Sequence, residues 1–265
     1  MRDLLRLYKV MLSVSLANML QYRAVMLLWA AWGIVAPLVA LAVWVAAAGG
    51  RTLSGYGKAE FAGYFLVTMV VSHLATAWDM EVFSWEVRSG RLSPRLLRPV
   101  LPIAQAAAEN VGYKVYTVAV LLPVWLLLGY VLRPSIHITW ERAAWLVLVL
   151  PMAAALAFVW GYCVALLAFW TTNTRAFNEL YYTGMGFLAG RYAPLALMPP
   201  ALQALSWAFP FRWIVAFPVE LALGRTPLSQ ALPGLLWQVG WLAVGSVAFR
   251  ALWAQGVRQY SAVGA

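Results

Sequence analysis

Charge disappears from long stretches of this chain. Residues 24–50, 61–78, 115–132, 143–174 and 226–249 hold no Asp, Glu, Lys or Arg, and each run reaches the roughly 18 residues that a helix needs to cross a bilayer. The pattern predicts five transmembrane helices. From 176 to 225 the apolar character continues, but Pro194, Pro199, Pro200, Pro210 and Pro218 interrupt it. Each proline removes a backbone donor that lipid cannot replace, so this part reads as a short span over 176–190 and a segment over 191–225 that dips back. At the N-terminus Arg2, Arg6, Lys9 and Ser13 recur at helical spacing, with Leu4, Leu5, Tyr8, Met11, Leu12 and Leu16 on the other side. This is a basic amphipathic helix, expected to lie along the inner headgroups.

The expected architecture is an all-α polytopic membrane protein with six transmembrane helices, an N-terminal interfacial amphipathic helix and a re-entrant hairpin before the last span. One transmembrane domain covers 1–265. Its interfacial helix is 1–23, its spans are 24–48, 60–78, 104–132, 143–171, 176–190 and 226–250, and 79–103 is a loop on the cytoplasmic side.

Composition agrees: 64% of residues are hydrophobic and 11% charged, with a mean hydropathy of +0.77. The first apolar run is too long for a signal-peptide core and is expected to stay as a span. The net charge of +10 reports topology and contact with anionic lipid in such a chain, so nucleic acid is not an expected partner. Cys163 has no second thiol, which excludes a disulfide framework, a thiolate zinc site and a CxxC redox pair.

Basic residues set the orientation. With a cytoplasmic N-terminus, eleven Lys and Arg fall inside and seven outside, the bias expected of a multi-pass membrane protein. Both termini are then cytoplasmic, which requires an even number of crossings, and the 176–190 span supplies the sixth.

The cytoplasmic loop contains SGRLSPRLLRPV, residues 89–100. Arg88, Arg91, Arg95 and Arg98 are spaced three, four and three apart, which places them on one face of a helix. Ser93 and Pro94 suit an N-cap and first helical position, predicting a short helix over 94–98 that presents Arg95 and Arg98, with Leu96 and Leu97 on another side. Asp79, Glu81 and Glu86 form an acidic shoulder ahead of it. The bland reading is a lipid anchor; the functional one is a docking element for a cytosolic partner.

No GxxxxGK[ST] loop, HExxH, GxSxG or cluster of metal-ligating carboxylates occurs. Catalytic residues, metal and cofactor are therefore not expected on this chain, and transport powered from elsewhere is what remains.

The order of features resembles the membrane subunit of bacterial ATP-binding-cassette transporters of the type-2 exporter class. The motifs carrying the resemblance are WEVRSGRLSPRLLRPV and GRYAPLALMPPALQALSWAFPFRWIVAFPVELALGR, in a likeness that covers nearly the whole chain. It implies a permease in a bacterial cytoplasmic (inner) membrane, paired with a second permease, as homodimer or heterodimer, carrying cytosolic ATPase subunits that hold ATP and Mg. It also implies that the loop from Glu86 to Arg98 is the coupling element.

Polar groups among the apolar runs are candidates for a translocation route or gate: His73, Glu109, Lys114, Arg175, Asn178, Glu179, Arg191, Arg212 and Glu220. Ionisable groups at such depth face a cavity or a partner. Arg175 and Glu179 are four apart and suited to pairing; Glu109 and Lys114 are five apart and are not. The repeated Gly-Arg pairs at 90–91, 190–191 and 224–225, each followed by proline, read as helix punctuation. Trp125 and Trp160 are candidates to line an apolar route. The expected substrate is hydrophobic or amphipathic, cationic or lipid-like, and leaves from the inner leaflet. An ATP-independent carrier or channel and a non-transporting scaffold are the alternatives from other classes.

Overall fold

A computed structural model describes residues 2–75, 77, 79–171 and 174–260. Among these, the chain forms twelve α-helices: α1 (Arg2–Gln21), α2 (Arg23–Ala48), α3 (Lys58–Ala75), α4 (Asp79–Arg88), α5 (Leu92–Leu96), α6 (Pro102–Leu132), α7 (Trp140–Ala165), α8 (Arg175–Leu188), α9 (Pro200–Trp207), α10 (Phe211–Ile214), α11 (Ala216–Ala222) and α12 (Ala231–Gln259). Short 3-10 turns at 166–169, 195–197 and 228–230 join some of them.

Among the described residues, five helical stretches are long and apolar enough to cross a membrane: α2, Lys58–Arg88, α6, Trp140–Phe169 and Leu228–Gln259. Their ends follow local chemistry. Gly49 terminates α2 in the left-handed conformation at φ 56°, which glycine adopts without a Cβ penalty. Pro102 opens α6 at a position where its missing N–H costs nothing. Gly90, Gly190 and Gly224 all take positive φ, so the Gly-Arg punctuation is a feature of the backbone.

The long helices differ in what covers them. In the Lys58–Arg88 stretch 69% of the apolar window is buried by protein, against 12–22% in the other four. It is the central element, packed on α2, α6, α7 and α11. α10 and α11 are wedged among α3, α7 and α12, and Trp213, Ile214, Val215, Phe217, Val219 and Leu221 there join Phe61, Tyr64 and Phe65 of α3 in the main core. A second cluster at the α4 end joins Met80, Phe83, Val87 and Leu92 to Tyr162, Ala165 and Leu166.

α12 lies along α7. Gly234, Gly245 and Gly256 recur every eleven residues, about three helical turns, so they share one face. A Cβ at Gly234 would lie 2.1 Å from the Phe217 ring, and one at Gly256 2.1 Å from the Phe169 ring. Helices approach this closely only where one side contributes no side chain.

Several expected boundaries are corrected. The second run does not become a loop at 79, because α4 continues as helix over 79–88; Met80, Phe83 and Val87 lie on one face and are buried. Thr76 and Trp78, at the end of the predicted 60–78 span, lie outside the described residues. The short loop helix is 92–96 rather than 94–98, with Arg91 at its N-cap position and no side-chain cap. Leu92 is fully buried, and this anchorage draws the helix start forward. The last helix continues past 250 to Gln259, where Leu252 and Trp253 pack on the α4 cluster. α8 has 14 residues, or about 21 Å at 1.5 Å per residue.

α1 packs along α6. Arg6, Lys9 and Ser13 are exposed as expected, whereas Ser15 is buried and Met11, Leu12, Leu16 and Met19 are half-buried. The side chains of Arg2, Leu4 and Leu5 lie outside the described residues, as does that of Asp79.

Candidate functional site

The α4–α5 segment holds the loop arginines, and they do not share a face. Gly90, at φ 72°, ends α4 and turns the chain before α5, so the helix that would have aligned them is interrupted. Arg95 turns inward and pairs with Glu86, both side chains being 12% exposed. A second Arg95 nitrogen donates to the Pro102 carbonyl at 3.4 Å. Arg91 lies over the Trp85 ring, 4.6 Å from its centroid, a cation–π contact. Arg98 is exposed and donates to Gln105 Oε1 at 3.4 Å. Leu96 is half-buried against the inner cluster, and Leu97 is 88% exposed. Ser93 does not cap; its hydroxyl pairs with that of Tyr260 at 3.0 Å, tying the loop to the end of α12. The result is a braced turn offering Arg91, Leu97 and Arg98 to its surroundings.

Beside this turn, α4 and the start of α8 enclose a cavity of about 330 Å³ lined by Glu81, Ser84, Arg88, Thr174, Arg175, Asn178, Glu179 and Tyr182. Thr174 donates to Ser84 at 2.9 Å across it. Arg175 and Glu179 pair at 2.7 Å on the exposed rim, as their spacing predicts. Asn178 is buried, and its Oδ1 has no hydrogen-bond partner. The Tyr182 hydroxyl donates to Glu81 at 3.3 Å, and Tyr182 also lines a second, smaller cavity with Ala75, Ala77, Ala157, Tyr181, Met185 and Arg191. The two cavities meet at that one side chain.

His73, Glu109 and Lys114 are elsewhere. His73 is buried in α3 beside Trp125 and Tyr113, with Nε2 2.7 Å from the Thr117 hydroxyl. That hydroxyl donates its one hydrogen to the Tyr113 carbonyl, so the histidine is the donor and carries its proton on Nε2. Glu109 accepts from Gln105 at 3.0 Å, and Lys114 donates to Asn110; they do not pair with each other. Trp125 is buried in a core cluster, and Trp160 donates to the Trp241 carbonyl at 3.2 Å.

At the opposite end, Arg212 pairs with Glu220 at 2.9 Å, both side chains 14% exposed, and Arg212 lies 4.4 Å over the Trp207 ring. Arg142 donates to the carbonyls of Leu221 and Thr226 at 2.8 and 2.9 Å, tying α7 to the end of α11 and the turn that follows it. Arg225 stands 3.5 Å over the Tyr56 ring and donates to the Gly55 carbonyl. Burial pushes the Tyr56 phenol up to about 12, with Arg225 opposing that rise and Glu220 adding to it. Tyr56 and Arg142 were not singled out from sequence, where Arg142 counts only as a loop charge and Arg225 only as part of the Gly224-Arg225 punctuation. Tyr64 donates to the Gly190 carbonyl at 2.7 Å and Trp44 to that of Tyr192 at 2.8 Å.

A helical bundle with this many apolar helices and clustered polar ends is a multi-pass membrane protein. Its residues 26–264 match the family described as ABC-2 family transporter protein, and the chain belongs to that family. It is a permease component, and membership implies partnership with an ABC ATPase. Nothing matches among curated proteins or solved structures.

Proposed function

We propose that the chain is the membrane half of an ATP-driven exporter that moves a hydrophobic or amphipathic substrate across a bacterial cytoplasmic membrane, with both termini inside. ATP and Mg are held by a separate cytosolic ATPase, and a second permease subunit, identical or not, completes the pathway. The observation that carries this reading is the braced α4–α5 turn. A coupling element must transmit movement rather than absorb it, and this turn is held by the Glu86–Arg95 pair, the Ser93–Tyr260 contact and buried Leu92. Its free surface is Leu97 with Arg91 and Arg98 around it, an apolar tip in a basic rim suited to a groove on a soluble partner.

The six-crossing arrangement takes α8 as the fifth crossing and 191–225 as the re-entrant region, with α1 at the inner interface. α8 is short for a full crossing, so the chain turns at membrane depth, where an unpaired carbonyl costs several kcal/mol (~2–7). The Tyr64 and Trp44 donors meet that demand at Gly190 and Tyr192.

The test is mild-detergent isolation of the tagged chain from its native membrane, with the mass and stoichiometry of what accompanies it. Recovery of a soluble ATPase supports the reading, and the permease count distinguishes homodimer from heterodimer. Isolation without an ATPase, under conditions that preserve a known transporter complex, would return the turn to a lipid anchor and favour an ATP-independent carrier.

A further inference from the structure

The larger cavity, about 330 Å³ between α4 and the start of α8, has room for on the order of ten waters or a small polar head. Its floor is formed by Ser84, Thr174 and Asn178, which are 1%, 2% and 6% exposed. The Ser84 hydroxyl donates to the Met80 carbonyl at 2.6 Å, and the Thr174 hydroxyl donates to Ser84 at 2.9 Å. Each hydroxyl carries one hydrogen, so both donors are committed and what the floor still offers is acceptors. Asn178 Oδ1 is the clearest of these: among the described residues it is the one buried side-chain oxygen without a hydrogen-bond partner that borders this cavity. A buried acceptor left unmatched costs free energy that a ligand donor recovers.

The rim adds charge. The Tyr182 phenol gives its hydrogen to Glu81 at 3.3 Å, a long contact beside the roughly 2.5–2.9 Å of a charge-assisted hydrogen bond, so the Glu81 carboxylate has strength to spare for a cation. Glu179 holds Arg175 at 2.7 Å on the exposed side. Arg88 stands seven residues beyond Glu81, about two turns along the same face of α4. An oxyanion on the floor would face Asn178 Oδ1 and Glu81 and be repelled. A primary ammonium supplies three N–H donors and a positive charge at once, and an anionic group on the same head suits Arg88. Exposed apolar side chains on the same two helices, Val82 and Trp85 of α4 with Phe177 and Leu180 of α8, leave a tail in contact with hydrocarbon.

We propose that this cavity binds the primary ammonium head of the transported amphipath, with Asn178 Oδ1 and Glu81 as its acceptors and Arg88 beside the anionic group of the same head. This deepens the permease reading, on which it rests, and narrows the substrate to a molecule whose ammonium carries hydrogens.

The test is equilibrium binding to the full chain in phosphatidylcholine nanodiscs, corrected for empty discs. The probes are lysophosphatidylethanolamine, lysophosphatidylcholine and the tail-free glycerophosphoethanolamine. The first two carry the same charges and differ at the nitrogen, where methyl groups replace the N–H donors. Lysophosphatidylethanolamine is expected to saturate and lysophosphatidylcholine to bind at least tenfold more weakly, the worth of a hydrogen bond to a charged group. Saturation by glycerophosphoethanolamine as well would assign a soluble head as sufficient; its failure beside lysophosphatidylethanolamine would assign the lipid. Asn178→Leu removes an unmatched buried polar group, so it should keep the unfolding midpoint or raise it while weakening binding about tenfold. Asn178→Asp restores an acceptor and should bind lysophosphatidylethanolamine at least as tightly as the native chain. Equal binding of the ethanolamine and choline probes, binding unchanged in Asn178→Leu, or no binding above empty discs would overturn the proposal. The comparison of the two probes is made on the native chain and holds even where a variant fails to fold. All of these measurements are made without an ATPase, so failure of binding leaves the permease reading standing, and isolation without an ATPase leaves the binding result standing.

Discussion

Arg95 lies against Glu86 with its side chain 12% exposed, whereas Arg98, three residues on, is exposed and meets Gln105. Reversing the two charges therefore has different consequences. Arg95→Glu places a second carboxylate beside Glu86 and should destabilise the protein by on the order of 2 kcal/mol, seen as a lower unfolding midpoint in detergent. Arg98→Glu combined with Leu97→Asp should leave that midpoint unchanged and reduce recovery of the ATPase. Equal loss of stability in both would remove the distinction between brace and docking tip. The Arg212–Glu220 pair lends itself to a double-mutant cycle. Arg212→Met and Glu220→Leu should each destabilise, and the double variant should recover part of the sum, with a coupling of about 1–3 kcal/mol. Additive losses would mean that the two groups do not hold each other.

At the scale of the element, α12 makes opposite predictions at two glycines. Alanine is the better helix former by about 1 kcal/mol, so Gly240→Ala, whose added Cβ meets nothing within 4 Å, should be neutral or stabilising. At Gly234 the same change sets a Cβ 2.1 Å from the Phe217 ring, and the overpacking, typically about 1–3 kcal/mol, outweighs propensity. Unfolding midpoints of the two variants in one detergent check this, and the expected shifts are of opposite sign. The eleven-residue recurrence of glycine at 234, 245 and 256 is a signal that the sequence carries and that a reading guided by charge passes over.

For the whole molecule, topology is the measurable quantity. Six crossings with a cytoplasmic N-terminus place Ser54 and Ser229 outside and Ser89 inside. Cysteines at the first two positions should react with an impermeant maleimide on intact cells, and at Ser89 only after permeabilisation. Protection of Ser229→Cys in intact cells would mean five crossings and remove α8 from the count. The native Cys163 is buried and should give little background. What the sequence by itself determined is whatever depends on neighbours along the chain: the apolar runs that became α2, α3, α6, α7 and α12, the glycine and proline stops, and the Arg175–Glu179 pair four residues apart. Transfer from water is additive over local residues, so hydropathy and charge report it directly. Tertiary structure alone decided which loop arginine turns inward, why α10 and α11 are buried, and what meets Arg142 and Arg225. Their partners stand far away in sequence: Arg142 reaches Leu221 across 79 positions and Arg225 reaches Gly55 across 170. No periodicity encodes such a pairing, because it arises when helices pack and each buried polar group takes the nearest acceptor that packing provides.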